Sequence, residues 1–269
     1  MDLSKVKLVV SDMDGTLLNP NHEVSVRFFN QFKKFKANDI HFVAASGRQY
    51  YSIIEKLEPI KNEISVIAEN GGFMQHDHAL EVLLQLSTDD INRCIEKLRS
   101  IDGANIVLCG QKSAYIESDD EDFISKFSEY YTAYKRVDDL TQVTDDAFLK
   151  IAVFHFESSE KYILPHIESI TADLQVTISG ENWLDISPKE ANKGYALTML
   201  QKKLGVKVDE TLVFGDYNND LQMLELAYFS YAMENAHPDV KKIARFETKS
   251  NANEGVETII EKLLVSKEG

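Results

Sequence analysis

Short apolar runs alternate with segments of helical period at both ends of the chain. Val6 to Val10, Ile40 to Ala45, Ile64 to Ala68 and Thr211 to Phe214 are dense in β-branched and aromatic residues, the composition of strands buried on both faces. Between them, apolar positions recur every three or four residues. Phe28, Phe29, Phe32 and Phe35 form one such stripe, Val256, Ile259, Ile260, Leu263 and Leu264 another. Ala196, Leu197, Leu200 and Leu204 make a third, with Gly205 placed to end its helix. All three are read as faces packed on a sheet, without functional assignment. Strand and helix in alternation predict an α/β fold with a parallel sheet covered by helices.

The middle of the chain has a rhythm of its own. Thr88-Asp89-Asp90 is expected to open a helix through Leu98, followed by strands near Ile106 to Leu108 and Ala114 to Glu117. A helix over Asp122 to Tyr131, a strand Leu149 to Phe156, a helix near Glu160 to Ile170 and strands at Gln175 to Ile178 and Trp183 to Ile186 should follow, with Pro165 kinking that second helix. Residues 83–188 therefore read as an inserted α/β domain, and 1–82 together with 189–269 as the domain that receives it. Internal repeats and low-complexity linkers are absent from the sequence.

At 269 residues and 43% hydrophobic, the chain suffices for one large domain or two modest ones. Its 29 Lys and Arg against 44 Asp and Glu give a formal charge of −15, which disfavours nucleic acid and anionic membrane as partners. Any phosphate site must then be local. No stretch is apolar enough to span a bilayer, and the first residues lead straight into a strand rather than a signal peptide, so a cytoplasmic protein is expected. Cys94 and Cys109 stand far apart in apolar company and read as buried reduced thiols.

The candidate chemistry lies at strand ends. The first strand leads into Ser11-Asp12-Met13-Asp14-Gly15-Thr16, two carboxylates two residues apart where open α/β sheets bind ligands. One carboxylate can attack phosphorus while the other protonates the leaving oxygen and later activates water. A hairpin turn or a calcium loop also uses Asp-x-Asp-Gly, but the preceding apolar strand and the missing distal Glu count against both. The second strand ends in Ser46-Gly47-Arg48, a hydroxyl, a permissive glycine and a guanidinium before a helix start at Gln49. That turn suits a phosphate oxygen, and equally a plain strand-to-helix connection. Gly215-Asp216-Tyr217-Asn218-Asn219-Asp220 follows another strand. Asp12 and Asp216, with the Asp14 carbonyl, could hold Mg²⁺; alternatively the acidic run caps the next helix. Lys193 precedes the helix expected from Tyr195, an unfavourable place for a cation unless an anion lies beside it, although surface lysines are common.

These four elements, in this order, resemble the haloacid dehalogenase superfamily of phosphohydrolases, in its Cof-type branch with a large α/β cap inserted between the second and third motifs. Asp12-Met13-Asp14-Gly15-Thr16, Ser46-Gly47-Arg48, Lys193-Gly194 and Gly215-Asp216 through Asn219-Asp220 match its motifs, supported by Glu69-Asn70-Gly71-Gly72, Leu184-Asp185-Ile186 and Asn251 through Gly255-Val256. The resemblance implies a Rossmann-like core with an α/β cap. It implies Asp12 as nucleophile and Asp14 as acid/base. Ser46 and Lys193, the backbone at Met13 and Gly47, and Asn219 would hold phosphoryl oxygens. Mg²⁺ would sit on Asp12, the Asp14 carbonyl and Asp216, and Asp220 would orient Lys193 or a metal-bound water. Thr16, Arg48 and Asn70 stand as further candidates for contact with substrate or for supporting those groups.

The resulting expectation is a Mg²⁺-dependent phosphatase of small phosphate esters, of sugar phosphate, flavin mononucleotide or pyridoxal phosphate type, acting as a monomer or weak homodimer. A phosphotransferase or mutase using a sugar hydroxyl in place of water, and a non-catalytic phosphometabolite sensor, are the alternatives. His76-Asp77-His78 reads as an exposed hairpin turn, His237-Pro238 as a helix start, and Asp119 to Asp122 as charges opening a cap helix. Tyr130, Tyr131, Tyr134 and Trp183 could face a substrate ring but suit packing as well.

Overall fold

The computed structural model describes residues 2–268. In chain order its strands are β1 Leu8–Asp12, β2 His41–Ala45, β3 Ser65–Ala68, β4 Phe73–His76 and β5 Ala79–Val82, then β6 Asn105–Gly110, β7 Ala114–Ile116, β8 Tyr134–Arg136, β9 Phe148–Phe154, β10 Leu174–Ile178 and β11 Trp183–Pro188, and finally β12 Thr211–Gly215, β13 Phe229–Ala232 and β14 Phe246–Glu247. Among the described residues they form two sheets. The larger runs β14-β13-β12-β1-β2-β3-β4-β5, and the smaller, built wholly from the middle of the chain, runs β10-β11-β9-β6-β7-β8.

From β14 to β3 the larger sheet is parallel, and the β4–β5 hairpin adds an antiparallel edge. Its central strand, β1, is fully buried, pairing with β12 from Leu8↔Thr211 and with β2 up to Asp12↔Ala45. The ladder therefore holds β1 two residues beyond the expected Val6–Val10 run, so Asp12 belongs to the strand itself. Apolar stripes cover this sheet as their spacing predicts. Val26–Phe32 packs against Gly255–Glu268, and Lys193–Leu204 against Leu221–Glu225. Gly205 ends its helix at φ +66°, a conformation glycine adopts without a Cβ penalty.

The smaller sheet is mostly antiparallel and buries both faces. Ile106, Leu108, Ile151, Val153, Leu184 and Ile186 pack into one cluster, while Val107, Cys109, Ala152 and Phe154 pack into another with Phe123 and Phe127. The strict alternation is the two-residue period of the strand.

Local departures from the sequence reading have physical causes. The first cap helix is Thr88–Arg99 with Ser87 as its N-cap, because the Ser87 hydroxyl accepts from Asp90 N at 3.1 Å. The second is Glu121–Phe127, capped by Asp120, and stops short of Tyr131. Gln49 of the core exchanges two hydrogen bonds with the Ala133 backbone, 2.8 and 3.1 Å, and Tyr131 folds back to stack on Phe127, so the chain turns there. Tyr134 then starts β8, a short strand without enough alternation to be foreseen. The segment expected as one kinked helix is three short pieces, Ser159–Tyr162, Leu164–Ile167 and Glu168–Ile170, parting at Ile163 ahead of Pro165.

The hairpin turn is made by Asp77 and His78, both exposed and at positive φ. His76 departs from the exposed reading: it is buried, its Nδ1 2.8 Å from Ser65 Oγ, which lies 2.8 Å from His41 Nε2. The pattern could not distinguish the last strand residue from the turn. His237 caps the helix Pro238–Ile243 as expected. No helix among the described residues is long and apolar enough to cross a membrane.

Both cysteines are buried and unpaired. Burial pushes the Cys94 thiol up to about 11 and the Cys109 thiol higher still. The native protein should accordingly be inert to a chromogenic disulfide reagent at neutral pH, and both thiols should react after denaturation. Rapid labelling of the folded protein would contradict this packing.

Candidate active site

Because β12, β1 and β2 are parallel neighbours, their carboxyl ends open on one edge, where the turns bearing the polar motifs meet. Asp12 closes β1 and is only 6% exposed. The chain then makes one wide turn over Met13–Leu17, closed by Leu18 N donating to Met13 O at 2.8 Å. Gly15 sits at φ +75°, and a Cβ there would fall 2.2 Å from Asp216 Oδ2, so only glycine lets this turn approach the Asp216 loop. Thr16 Oγ1 donates to Asp216 Oδ1 at 2.9 Å. Asn235 and Asn251 pin the turn by donating to the Gly15 and Leu18 carbonyls at 2.8 and 2.9 Å.

Lys193 is the first residue of its helix, which starts two residues earlier than the sequence suggested, with Asn192 Oδ1 accepting from Tyr195 N. Its side chain is fully buried, and Nζ donates to Asp12 Oδ1 at 2.5 Å and Asp220 Oδ1 at 2.6 Å. Asp220 Oδ2 accepts from the backbone of Asp216 and Tyr217 at 2.9 and 3.1 Å. Asp220 thus holds the lysine with one oxygen and shapes the Asp216 loop with the other. The two carboxylates supply the anions that a cation at a helix N-terminus requires.

Asp12, Asp216 and Asp220 bring carboxylate oxygens within 4.8 Å of one another. Against one ammonium, three carboxylates leave a formal charge of −2 in a buried place. Burial first, then the neighbouring carboxylates, pushes Asp12 well above the usual carboxylate range, and the same causes push Asp216 up to about 7. Burial works against the Lys193 charge, but Asp12 and Asp220 outweigh it and hold the ammonium above its ordinary value. Asp220 has spent its oxygens on protein donors. A hard divalent cation such as Mg²⁺ fits the remaining set, since oxygen donors and uncompensated negative charge are what it selects.

On the second strand's turn, Ser46 Oγ accepts from Arg48 N at 3.1 Å and keeps its own proton free to donate. A Cβ on Gly47 would press to 3.0 Å on Asn70 Oδ1. Arg48 grips Asp14 with two bonds of 2.6 Å, Nε to Oδ2 and Nη2 to Oδ1. It also donates to the Glu129 carbonyl of the cap at 2.7 Å and lies over the Tyr130 ring. Burial would raise the Asp14 carboxyl, but the guanidinium wins and holds it below its ordinary value. Arg48 is therefore occupied by Asp14 and the cap rather than open to a phosphate. Asn219 Nδ2 donates to Asn70 Oδ1 at 3.0 Å, and Asn70 Nδ2 to Asp185 Oδ2 at 2.9 Å. All the candidate residues thus gather at one edge, Met13 buried beneath the turn.

Above them opens a cavity of about 600 Å³, a size suited to a small metabolite, floored by Asp12, Asp14, Ser46 and Asp216. Cap residues Tyr130, Tyr131, Phe156 and Trp183 line it, whereas Tyr134 stands outside. Lys150 also reaches the site. The sequence reading passed over it, although a lysine inside Phe148-Leu149-Lys150-Ile151-Ala152-Val153-Phe154 was a visible break in an apolar strand.

Residues 9–260 match the family of haloacid dehalogenase-like hydrolases. The chain belongs to that family. Its motif order, with the α/β cap between the second and third motifs, is that of the Cof-type phosphatases. Among its relatives, a 5-amino-6-(5-phospho-D-ribitylamino)uracil phosphatase of Escherichia coli (strain K12) is 34% identical over 262 residues, covering 96% of each chain. Another phosphatase of that name, from Bacillus subtilis (strain 168), is 28% identical and covers 96% of this chain and 98% of its own. A crystal structure from Streptococcus mutans UA159 superposes with a TM-score of 0.88 at 30% identity, over 97% of this chain and 99% of that one.

Truncating the buried lysine isolates the electrostatics. Lys193→Met leaves Asp12 and Asp220 buried without their cation and should cost about 3–5 kcal/mol of stability, as broken buried ion pairs do. Urea denaturation measures this; a midpoint equal to wild type would show that the pair carries no such weight.

Proposed function

We propose that the protein is a Mg²⁺-dependent phosphatase that hydrolyses small phosphorylated metabolites through an aspartyl phosphate on Asp12. The observation that carries this reading is the buried Asp12–Lys193–Asp220 pairing beside Asp216, at the floor of a metabolite-sized cavity. A carboxylate nucleophile, a fixed ammonium and a cation-binding oxygen set are what transfer of a phosphoryl group needs.

In this reading Asp12 attacks phosphorus in line as the ester oxygen departs, and Asp14 gives that oxygen a proton. Asp14 then takes a proton from water, which attacks the aspartyl phosphate, releasing inorganic phosphate and restoring the Asp12 carboxylate. Lys193, Ser46, Asn219 and the backbone N–H groups at Met13 and Gly47 hold the phosphoryl oxygens. Asp12, Asp216 and the Asp14 carbonyl hold Mg²⁺, which, when bound, neutralises charge on the transferring group. The Arg48 grip keeps Asp14 ionised, so that pair must loosen when an ester enters for Asp14 to act first as an acid.

The substrate class is a phosphate monoester whose leaving group fits beneath the aromatic cap residues. Sugar phosphates, flavin mononucleotide and pyridoxal phosphate are of this kind. The two named relatives make 5-amino-6-(5-phospho-D-ribitylamino)uracil the first ester to try.

Phosphate release from an aryl phosphate tests the chemistry. Wild type should release phosphate with Mg²⁺ and stop with chelator, and Asp12→Asn should be inactive in both. Asp14→Asn should lose about 10²–10⁴-fold in turnover, the usual weight of a general acid–base, yet still show a single-turnover burst of the aryl alcohol, which needs little protonation to leave. Metal-independent release, or release by Asp12→Asn at the wild-type rate, would sink the mechanism.

A further inference from the structure

Lys150 is a charged residue in the middle of a cap strand, and it is 2% exposed. The strand period places it with Ala152 and Phe154, on the face opposite Ile151 and Val153. Its Nζ donates to the Gly47 carbonyl at 2.8 Å and to Asp185 Oδ2 at 3.1 Å, and lies 3.0 Å from Glu69 Oε2. One cap ammonium thus reaches the turn after β2, the turn after β3 and the neighbouring cap strand.

Two chains of hydrogen bonds lead from it to the phosphate donors. The Gly47 carbonyl and the Arg48 N–H belong to one planar peptide group, and that N–H donates to Ser46 Oγ at 3.1 Å. Lys150 on the carbonyl and Ser46 on the N–H hold this plane at both ends, which leaves the Ser46 hydroxyl proton for another acceptor. Along the other branch, Asp185 Oδ2 accepts from Asn70 and Asn70 Oδ1 accepts from Asn219, at 2.9 and 3.0 Å. Glu69 and Asn70 sit at φ +50° and +52°, a conformation that non-glycine residues adopt only when held.

We infer that Lys150 is a positioning residue by which the cap sets the phosphate-binding side chains Ser46 and Asn219 of the core. It acts through Gly47, Asp185 and Asn70 and needs no contact with substrate. The inference rests on the phosphatase reading above. It also separates Lys150 from the cap aromatics. They face the leaving group, whereas Lys150 governs groups that meet the phosphoryl moiety common to every ester.

Lys150→Met alone strands two buried carboxylates, Glu69 and Asp185, that lie 3.0 and 3.1 Å from its ammonium. A second variant, Glu69→Gln with Lys150→Met and Asp185→Asn, removes those charges with the lysine. For each variant that gives a wild-type circular dichroism spectrum, calorimetry with inorganic phosphate and kcat/KM for an aryl phosphate and two alkyl phosphates are compared with wild type. The expected result is weaker phosphate binding and a kcat/KM loss of about 10²-fold, the scale of a small misplacement of reacting groups, by one common factor for all three esters. Wild-type values in a folded variant, losses that differ among the esters, or failure of both variants to fold would each overturn the positioning role. If wild type itself neither binds phosphate nor hydrolyses any ester, the phosphatase reading falls first and this inference with it.

Discussion

The ammonium of Lys193, buried between Asp12 and Asp220, is the contact on which the site's geometry depends. The bonded residues lie 181 and 27 positions apart in the chain, so the contact exists only when β1, the helix after the cap and the β12 turn have docked. A buried lysine without anions would shed its proton, and clustered carboxylates without a cation would take protons up. Asp12 and Asp220 hold the Lys193 ammonium charged, while burial and the crowding of carboxylates push Asp12 and Asp216 upward. The excess negative charge that remains would repel a phosphate dianion, and a divalent cation held there would offset it. The −15 charge of the whole chain adds to that repulsion at long range.

The cap meets the core through polar contacts at the rim of that site. Arg48 divides its donors between Asp14 and the Glu129 carbonyl, Gln49 pairs with the backbone of Ala133, and Lys150 crosses to Gly47 and Glu69. Buried polar contacts demand defined geometry in a way apolar packing does not, because an unsatisfied charge in low dielectric is costly. Cap placement and site geometry are therefore one problem. Tyr130 and Trp183 line the cavity over the carboxylates, and the bonds that seat the cap also engage the turn after β2.

Much of the fold was legible because the strands are apolar on both faces and the helices carry clean stripes. Residues 40–45 and 64–68 became β2 and β3 nearly unchanged, and Gly205 stopped its helix where its spacing said it would. The motif residues were legible through their position at strand ends, since a parallel sheet gathers such ends on one edge. Cap details were less so. Tyr130 and Tyr131 continue a helical spacing on paper, but stacking on Phe127 and the hold of Gln49 on Ala133 end the helix at Phe127. His76 looked like part of an exposed turn because periodicity cannot say which residue of a hairpin is the last to pair.

By itself the sequence determined the apolar strands and helical stripes of the core and the acidic, hydroxyl and lysine groups that stand at its strand ends and helix start. Local spacing and residue type suffice for those. Only the tertiary structure decided which of these groups touch: that Arg48 grips Asp14, that Asp220 serves Lys193 and the Asp216 backbone, and that Lys150 belongs to the site at all. Such pairings depend on register across β1, β2 and β12 and on how the cap sheet faces the core. Those distances are set by packing of residues a hundred or more positions apart, and no local pattern encodes them.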